Sequence, residues 1–463
     1  MGLQKRRTIK RRSFLTGIAS VPLLGTSLEI PEEKGSGSSL SVQNSDTLRL
    51  GIIGYGKRGE ELVAASTDSR SDRANLNIEY RGVCEIYGQR LERGMVAAGS
   101  EARAYKNYID LLESDDVDAV IIATPDHWHA RMAMDAANSG KHIYLEKCMT
   151  RTVDEAKSLR DAVKSSGVVF QLGHHGRQRD LNHKARDLIA NGTLGTLTLI
   201  ETTTNRNDPH HGWKTKEDER LSKDSVDWNQ FQGPENKKQP FSSERYYGWR
   251  NYWEYGTGMS GDLLSNEFDV VNSILDLGIP KSAMATGGLY YHLNGREVPD
   301  VFQAAFEYPD RALTLLYSGT LASGIPRGTL FMGTDATLEL GRILSVWVDK
   351  QSAKYKSRIE SGIIDPSSPL VNYLKPLDSV DAVSSATSKY FADRGLDMTY
   401  SGGKAVNTTY LHLSEWLRCI RNGSTTSCNI DRGFEEAITA HMATLSYHEG
   451  RKVSWDPETG TII

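Results

Sequence analysis

"GIIGYGKRGEEL", residues 51 to 62, sets Gly54, Gly56 and Gly59 at G-x-G-x-x-G spacing. Those letters also fit a plain glycine-rich bend, so the flanks decide between the two. Upstream, "LRLGIIG" is a short apolar run ending in glycine, as a buried strand does. Downstream, "EELVAAS" has helical periodicity. The pattern then repeats. "NIEYRGVCEI", "DAVIIAT", "KHIYLEK" and "VVFQLG" read as strands, while "NYIDLLES", "HARMAMDAANSG" and "TVDEAKSLRDAVKSSG" read as helices, the last with Thr152 as N-cap. Strands alternating with helices over residues 47–172 predict a doubly wound parallel sheet.

In that context the loop is a nucleotide grip. The first glycine allows the tight turn, the second lets backbone approach a pyrophosphate, and the third allows close helix packing. The helix start adds free N–H groups and a positive dipole end. Glu85 follows the second strand, about 26 positions after Gly59. An acid there accepts hydrogen bonds from a ribose 2′-hydroxyl and repels a 2′-phosphate. NAD is therefore expected, with NADP open because Lys57, Arg58 and Arg90 could hold an extra phosphate.

The second half reads differently. "TLGTLTLIETTTNR" and "DVFQAAFEYPDRALTLLYSGT" alternate apolar and polar residues, the mark of half-buried antiparallel strands. "DLLSNEFDVVNSILDLG" reads as a helix ending at Gly278, and "YLHLSEWLRCIRNG" and "FEEAITAHMATLSYHEG" as closing helices. Residues 173–463 thus form an α+β domain with a large open, mostly antiparallel sheet, and polar residues 349–403 form a surface insertion. An open sheet face predicts a homo-oligomer.

Bulk properties narrow the function. The 463 residues carry a net charge of −4, which excludes the basic face of a general nucleic-acid binder. Cys84, Cys148, Cys419 and Cys428 show no C-x-x-C pairing, so no zinc ribbon or disulfide scaffold is implied, and no metal site is expected. No apolar run reaches the roughly 20 residues of a membrane span. Residues 1–46 stand apart. "KRRSFLTGIASVPLLGTSL" places Arg11 and Arg12 before a mildly apolar stretch, as in a twin-arginine export signal, and "EEKGSGSSLSVQNSD" follows as a linker. A disordered basic tail is the other reading. The signal would send the protein to the periplasm or otherwise out of the cytoplasm.

Lys147 lies in "YLEKCMT", after the fifth strand, where ligands of open α/β sheets bind. A lysine there can hold a substrate hydroxyl and exchange its proton. With "TPDHWH" at Thr124 to His129 and Glu146-Lys147 after the next strand, the chain resembles the glucose-fructose oxidoreductase, inositol dehydrogenase and rhizopine-catabolism family of NAD(P)-dependent sugar oxidoreductases. Cys148 replaces that family's usual proline. The resemblance implies cofactor contacts at Gly54, Tyr55, Gly56, Lys57, Arg58, Gly59 and Glu85, along Thr124, Pro125, His127, Trp128 and His129, and at Glu146.

It also implies a catalytic trio of Lys147, an Asp, and a His four residues beyond that Asp. "GDLLSNEFD" supplies Asp262, but Asn266 stands where the His is expected, and an amide cannot take a proton. Three readings stay open. The base comes from elsewhere, with His174 and His175 of "GHHGRQ" or His210 and His211 of "DPHHGW" as candidates. Lys147 and Asp262 work alone. Or the chemistry is lost, leaving a non-catalytic carbohydrate- or partner-binding protein. Arg177, together with Arg250 and Trp253 of the aromatic stretch "ERYYGWRNYWEYGTGMSGD", joins His174 as a candidate sugar contact. The expected function is hydride transfer between a nicotinamide cofactor and a hydroxyl of a small carbohydrate or glycoside.

Overall fold

The computed structural model describes residues 47–67, 76–207, 213, 218–234, 236, 238–373, 397–401 and 404–463. The expected export signal, His210 and His211 lie outside them.

β1 (Leu48–Ile53) is buried from Leu50 onward and is followed by helix α1 (Lys57–Thr67). Around it run β2 (Ile78–Cys84), β3 (Arg103–Tyr105), β4 (Ala119–Ile122), β5 (His142–Leu145) and β6 (Phe170–Leu172), all parallel, in the order β3-β2-β1-β4-β5-β6. The order reverses between β1 and β4, and at such a reversal the connections diverge and leave a crevice at the carboxyl ends of the strands. Helix α2 (Asp126–Asn138) follows β4, and α3 (Val153–Ser166) follows β5. Thr152 caps α3: its hydroxyl accepts from Glu155 N at 3.1 Å, and the Glu155 carboxylate accepts from Thr152 N at 3.2 Å.

The second sheet has ten strands among the described residues: β7 (Leu197–Asn205), β8 (Ser282–Gly288), β9 (Val301–Tyr308), β10 (Leu313–Thr320), β11 (Thr329–Gly333), β12 (Ala336–Leu340), β13 (Leu344–Val348), β14 (Val371–Tyr373), and, near the end of the chain, Val453–Asp456 and Thr461–Ile462. Only β7 and β10 pair in parallel. β9 and β10 alternate strictly between buried and half-buried residues. Their buried side packs beneath helices, and the other side, which includes Leu316, Met284 and Trp347, stays more open.

Three expectations shift. The helix through residues 262–278 is a π-turn, Ser260–Leu264, running into α4 (Ser265–Leu275); it stops short of Gly278 because Asp276 adopts the left-handed conformation, φ 54°. The 349–403 stretch is not wholly a surface excursion: Val371 pairs with Val346, and β14 extends the sheet. Finally, the helix α5 (Thr408–Asn422) covers the first sheet, not the second. Its Tyr410, Leu413, Trp416 and Leu417 pack with Leu50, Ile52, Ile121 and Tyr144. The last helix, α6 (Ile430–Glu449), packs against both α3 and β8, so one apolar core runs through both sheets.

Candidate functional site

The glycine loop is shaped by sterics. Gly54 has φ +89°, and a Cβ on Gly59 would stand 2.2 Å from the Gly54 carbonyl oxygen. Both positions require glycine. At Gly56 an added Cβ would meet only the Arg90 guanidinium, so the bare backbone there faces open space. That space is a cavity of about 360 Å³. Gly54, Gly56, Lys57, Arg58 and Glu85 line it at one end; Thr124, Pro125, Trp128, Glu146, Lys147 and Arg250 line the rest. The cradle fits a dinucleotide: backbone without side chains at the pyrophosphate position, and a carboxylate at the ribose position.

Glu85 is buried, and its carboxylate accepts N–H bonds from Tyr55 at 2.8 Å, Ile86 at 2.8 Å and Tyr87 at 3.0 Å. This fixes the acid against the glycine loop while it still lines the cavity. Arg58 is committed through Nε to Glu146 at 2.7 Å and through Nη1 to Glu61 at 3.3 Å, while its Nη2 has no partner among the described residues. Arg90 is committed as well: it binds the Tyr246 hydroxyl at 3.0 Å and lies over that ring.

The chemical end is built on Asp262. Lys147 Nζ donates to Asp262 Oδ1 at 2.6 Å and to the Asp262 carbonyl at 2.8 Å. Arg250 Nε reaches Oδ1 at 3.1 Å, and Trp213 Nε1 donates to Oδ2 at 2.7 Å. Burial opposes both charges, but each overcomes it through the other. Lys147 is held above its ordinary pKa by Asp262, and Asp262 is held far below the carboxylate range by Lys147 and Arg250. An ammonium has three N–H groups, and two of Lys147's are occupied. The third has no partner among the described residues, and Lys147 lines the cavity.

The "TPDHWH" turn divides its labour. Thr124, Pro125 and Trp128 line the cavity, with Trp128 Nε1 anchored on the Gln230 carbonyl at 3.0 Å. His129 is buried between the carbonyls of Cys148 (2.5 Å) and Thr124 (2.9 Å), tying this turn to the Lys147 segment. His127 binds the Phe231 carbonyl at 2.6 Å, and burial lowers its pKa to about 3. Neither histidine lines the cavity. Tyr55 turns its ring into the core, and Gly59 packs under Gly54.

Four expected contacts are corrected by their surroundings. His174 is buried with Nε2 3.2 Å from Glu436 Oε2, on α6. Arg177 clasps both oxygens of Asp269 on α4, at 2.6–3.0 Å, and binds the Ser427 carbonyl at 2.6 Å. His175, the candidate base, turns its Nδ1 to Thr408 Oγ1 at 2.8 Å on α5. Trp253 stacks edge-on against His448, ring centroids 4.7 Å apart. None of the four lines the cavity. Asn266 donates back to the Asp262 carbonyl at 2.9 Å.

Two members of the site escaped the sequence reading. Trp213, in a polar stretch, carried no signal beyond its residue type. Asp126 is buried and accepts from Thr257 at 2.8 Å, with Thr257 in turn 3.1 Å from Cys148 Sγ. The aromatic stretch splits: Tyr255 is fully buried, while Tyr246, Tyr247 and Trp249 line the cavity. Among the described residues no helix is long and apolar enough to cross a membrane.

Comparison with known proteins agrees with this geometry. Residues 48–174 match the model of an oxidoreductase family's NAD-binding Rossmann fold, and residues 186–455 match the C-terminal alpha/beta domain of the same family. A glycosyl hydrolase family 109 protein of Shewanella pealeana is 31% identical over 212 residues, 41% of this chain and 44% of that protein. An uncharacterized oxidoreductase of Bacillus subtilis is 31% identical over 161 residues, 34% of this chain and 45% of that protein. These matches span under half the length of each relative. Levoglucosan dehydrogenase, solved with NADH and levoglucosan, shares the fold with a TM-score of 0.63 at 18% identity, covering 88% of this chain and 99% of that one.

Proposed function

The chain belongs to the oxidoreductase family with an NAD-binding Rossmann domain, and on that premise we propose that it is a dehydrogenase of sugars, sugar derivatives or glycosides. The carrying observation is that Lys147, with one N–H unengaged by Asp262, shares a single cavity with the glycine loop. NAD, when bound, supplies the acceptor for the hydrogen and electron pair leaving an alcohol carbon. The protein does the rest. Gly54 and Gly56 present backbone to the pyrophosphate, and Glu85 takes the ribose hydroxyls. Lys147 holds the reacting oxygen, accepting its proton as the neutral amine during oxidation and returning it as the ammonium during reduction. Asp262 steadies that ammonium.

The test is to purify the protein without added cofactor, release any nucleotide by denaturation, and read its redox state before and after exposure to a sugar panel. A redox change with one sugar class, abolished in Lys147→Ala, supports the reading. Protein with no nucleotide and no affinity for NAD or NADP would overturn it.

Asn266 favours a second reading, a carbohydrate- or partner-binding protein on a dehydrogenase scaffold, in which the nucleotide never changes redox state. We extend the first reading in two further ways. Arg11 and Arg12 support twin-arginine export to the periplasm, where cofactor must travel with the protein; lysine replacement of both should leave it in the cytoplasm. The open sheet face, with Met284 45% and Trp347 39% exposed, supports a homo-oligomer through that face. Met284→Glu paired with Trp347→Glu should lower the mass measured by light scattering.

A further inference from the structure

The substrate end of the cavity holds more positive than negative charge. Lys147 and Arg250 both line it, and both act on the carboxylate of Asp262. That carboxylate is already shared among Lys147, Arg250 and Trp213. Asp126, the other acid acting on Arg250, is 2% exposed, is hydrogen-bonded to Thr257 and does not line the cavity. Burial also favours its neutral form. Glu146, which lines the cavity beside Lys147, is paired with Arg58, so among the described residues Arg250 has no carboxylate partner but Asp262.

Arg250 is placed to use that imbalance. Its Nε is tied inward to Asp262, and its guanidinium lies over the Trp249 ring, 4.0 Å from the centroid. The side chain lines the cavity and is 30% exposed. Its two terminal nitrogens make no hydrogen bond among the described residues. The stack and the ion pair together fix the plane of the fork. A fixed planar fork matches the two oxygens of a carboxylate, which a neutral hydroxyl pair meets without the charge.

We propose that the carbohydrate bound here is acidic, a uronic acid or a glycoside of one, with its carboxylate on the Arg250 fork and its reacting hydroxyl on Lys147. The proposal rests on the dehydrogenase reading for turnover, but not for binding.

Two measurements separate them. In the first, NAD-loaded protein is given methyl β-D-glucuronide and methyl β-D-glucoside, and NADH is followed by absorbance. The expected kcat/KM for the uronide exceeds that for the glucoside by about 100-fold, and Arg250→Gln brings the ratio to within about threefold of one. Because the ratio is internal to each protein, damage to Asp262 positioning cancels. A wild-type ratio near or below one, or a ratio unmoved in Arg250→Gln, overturns the proposal while leaving the dehydrogenase reading in place. In the second, D-glucuronate and D-glucose are titrated calorimetrically into NAD-loaded wild type. Tighter glucuronate binding that weakens with added salt supports the carboxylate site even if no sugar is oxidised. Equal or absent binding of glucuronate overturns it, including where Arg250→Gln fails to fold.

Discussion

Lys147 Nζ is held 2.6 Å from the Asp262 carboxylate and 2.8 Å from the Asp262 carbonyl, so both the side chain and the backbone of one residue position this lysine. The two belong to different halves of the chain, Lys147 just after β5 and Asp262 on the π-turn that runs into α4. Lys147→Ala should lower kcat for sugar oxidation by about 10²–10⁴-fold, the usual range for a lost acid–base group. It should leave nucleotide retention intact, because the glycine loop is untouched. Single-turnover kinetics on NAD-loaded protein gives the answer; turnover at the wild-type rate would rule Lys147 out as the proton carrier.

The same pair sets a pH dependence. Burial lowers the Lys147 pKa, but Asp262 outweighs it, and the net shift is upward. Oxidation needs the neutral amine, so its rate should climb through the alkaline range. Reduction of the corresponding carbonyl needs the ammonium and should stay level until the pH approaches the raised pKa. A raised folded pKa contributes stability that is full below the unfolded lysine value of about 10.4 and is lost as pH climbs through the folded one. Asp262, shifted down, contributes stability above its unfolded value of about 3.9 that is lost as pH falls. Asp262→Asn should therefore move the alkaline limb of oxidation to lower pH. An unmoved limb would mean that another group titrates.

Gly59→Ala should disable cofactor binding with little effect on the second sheet. A methyl group 2.2 Å from the Gly54 carbonyl forces the loop apart from α1. The expected loss of NAD affinity is at least about tenfold, or roughly 1.4 kcal/mol, read by fluorescence titration. Wild-type affinity in this variant would show that the loop does not grip the pyrophosphate.

Glu85→Gln should relax cofactor choice. The acid accepts three backbone N–H groups, and an amide oxygen replaces only part of that set. Charge repulsion against a 2′-phosphate disappears, so the NAD-over-NADP affinity ratio should fall by about tenfold or more. Melting temperature should fall as well, because buried N–H groups lose part of their acceptor. A ratio equal to wild type would place discrimination elsewhere, with Lys57 the next residue to test.

Legibility in the sequence followed range. β1, β2, β4, β5 and β6 announce themselves through apolar runs that stop at glycine or at the site, and the place of the glycine loop between β1 and α1 is legible because strand and helix flank it within a dozen residues. β3 does not: Arg103 and Tyr105 lie on a three-residue edge strand with no apolar run. Lys147 and Asp262 were legible as residue types at family positions. His174, His175 and Arg177 misled because the strand-end rule is local, whereas their partners Glu436, Thr408 and Asp269 arrive from 90 to more than 260 positions away. Helix α5, which supplies Thr408, covers the first sheet from the far end of the chain, and nothing in its periodicity says which sheet it will cover.

That difference gives Arg177 a structural test. An arginine paired to Asp269 inside the protein supports folding, not sugar binding. Arg177→Ala leaves Asp269 buried and unpaired, at a cost of about 3–5 kcal/mol. The melting temperature should drop sharply, while KM for sugar, measured at low temperature on the folded fraction, stays near wild type. A large KM increase with unchanged melting would return Arg177 to the substrate.

Asn266 separates the two functional readings. Its amide donates to the Asp262 carbonyl, the same oxygen that receives Lys147, so it steadies the turn that carries the acid. It does not take a proton. Asn266→His adds a group of ordinary pKa about 6.5 one helical turn from Asp262. If wild type is a working dehydrogenase whose base is Lys147, the histidine should open an oxidation limb near neutral pH, and rates at pH 7 should rise severalfold. If wild type is inert toward every sugar and Asn266→His turns over, then the loss of that base had silenced the scaffold, and the binding reading stands. If wild type turns over and the variant's pH profile is unchanged, Asn266 acts only as a tie on the helix, and proton transfer belongs to Lys147 and Asp262 alone.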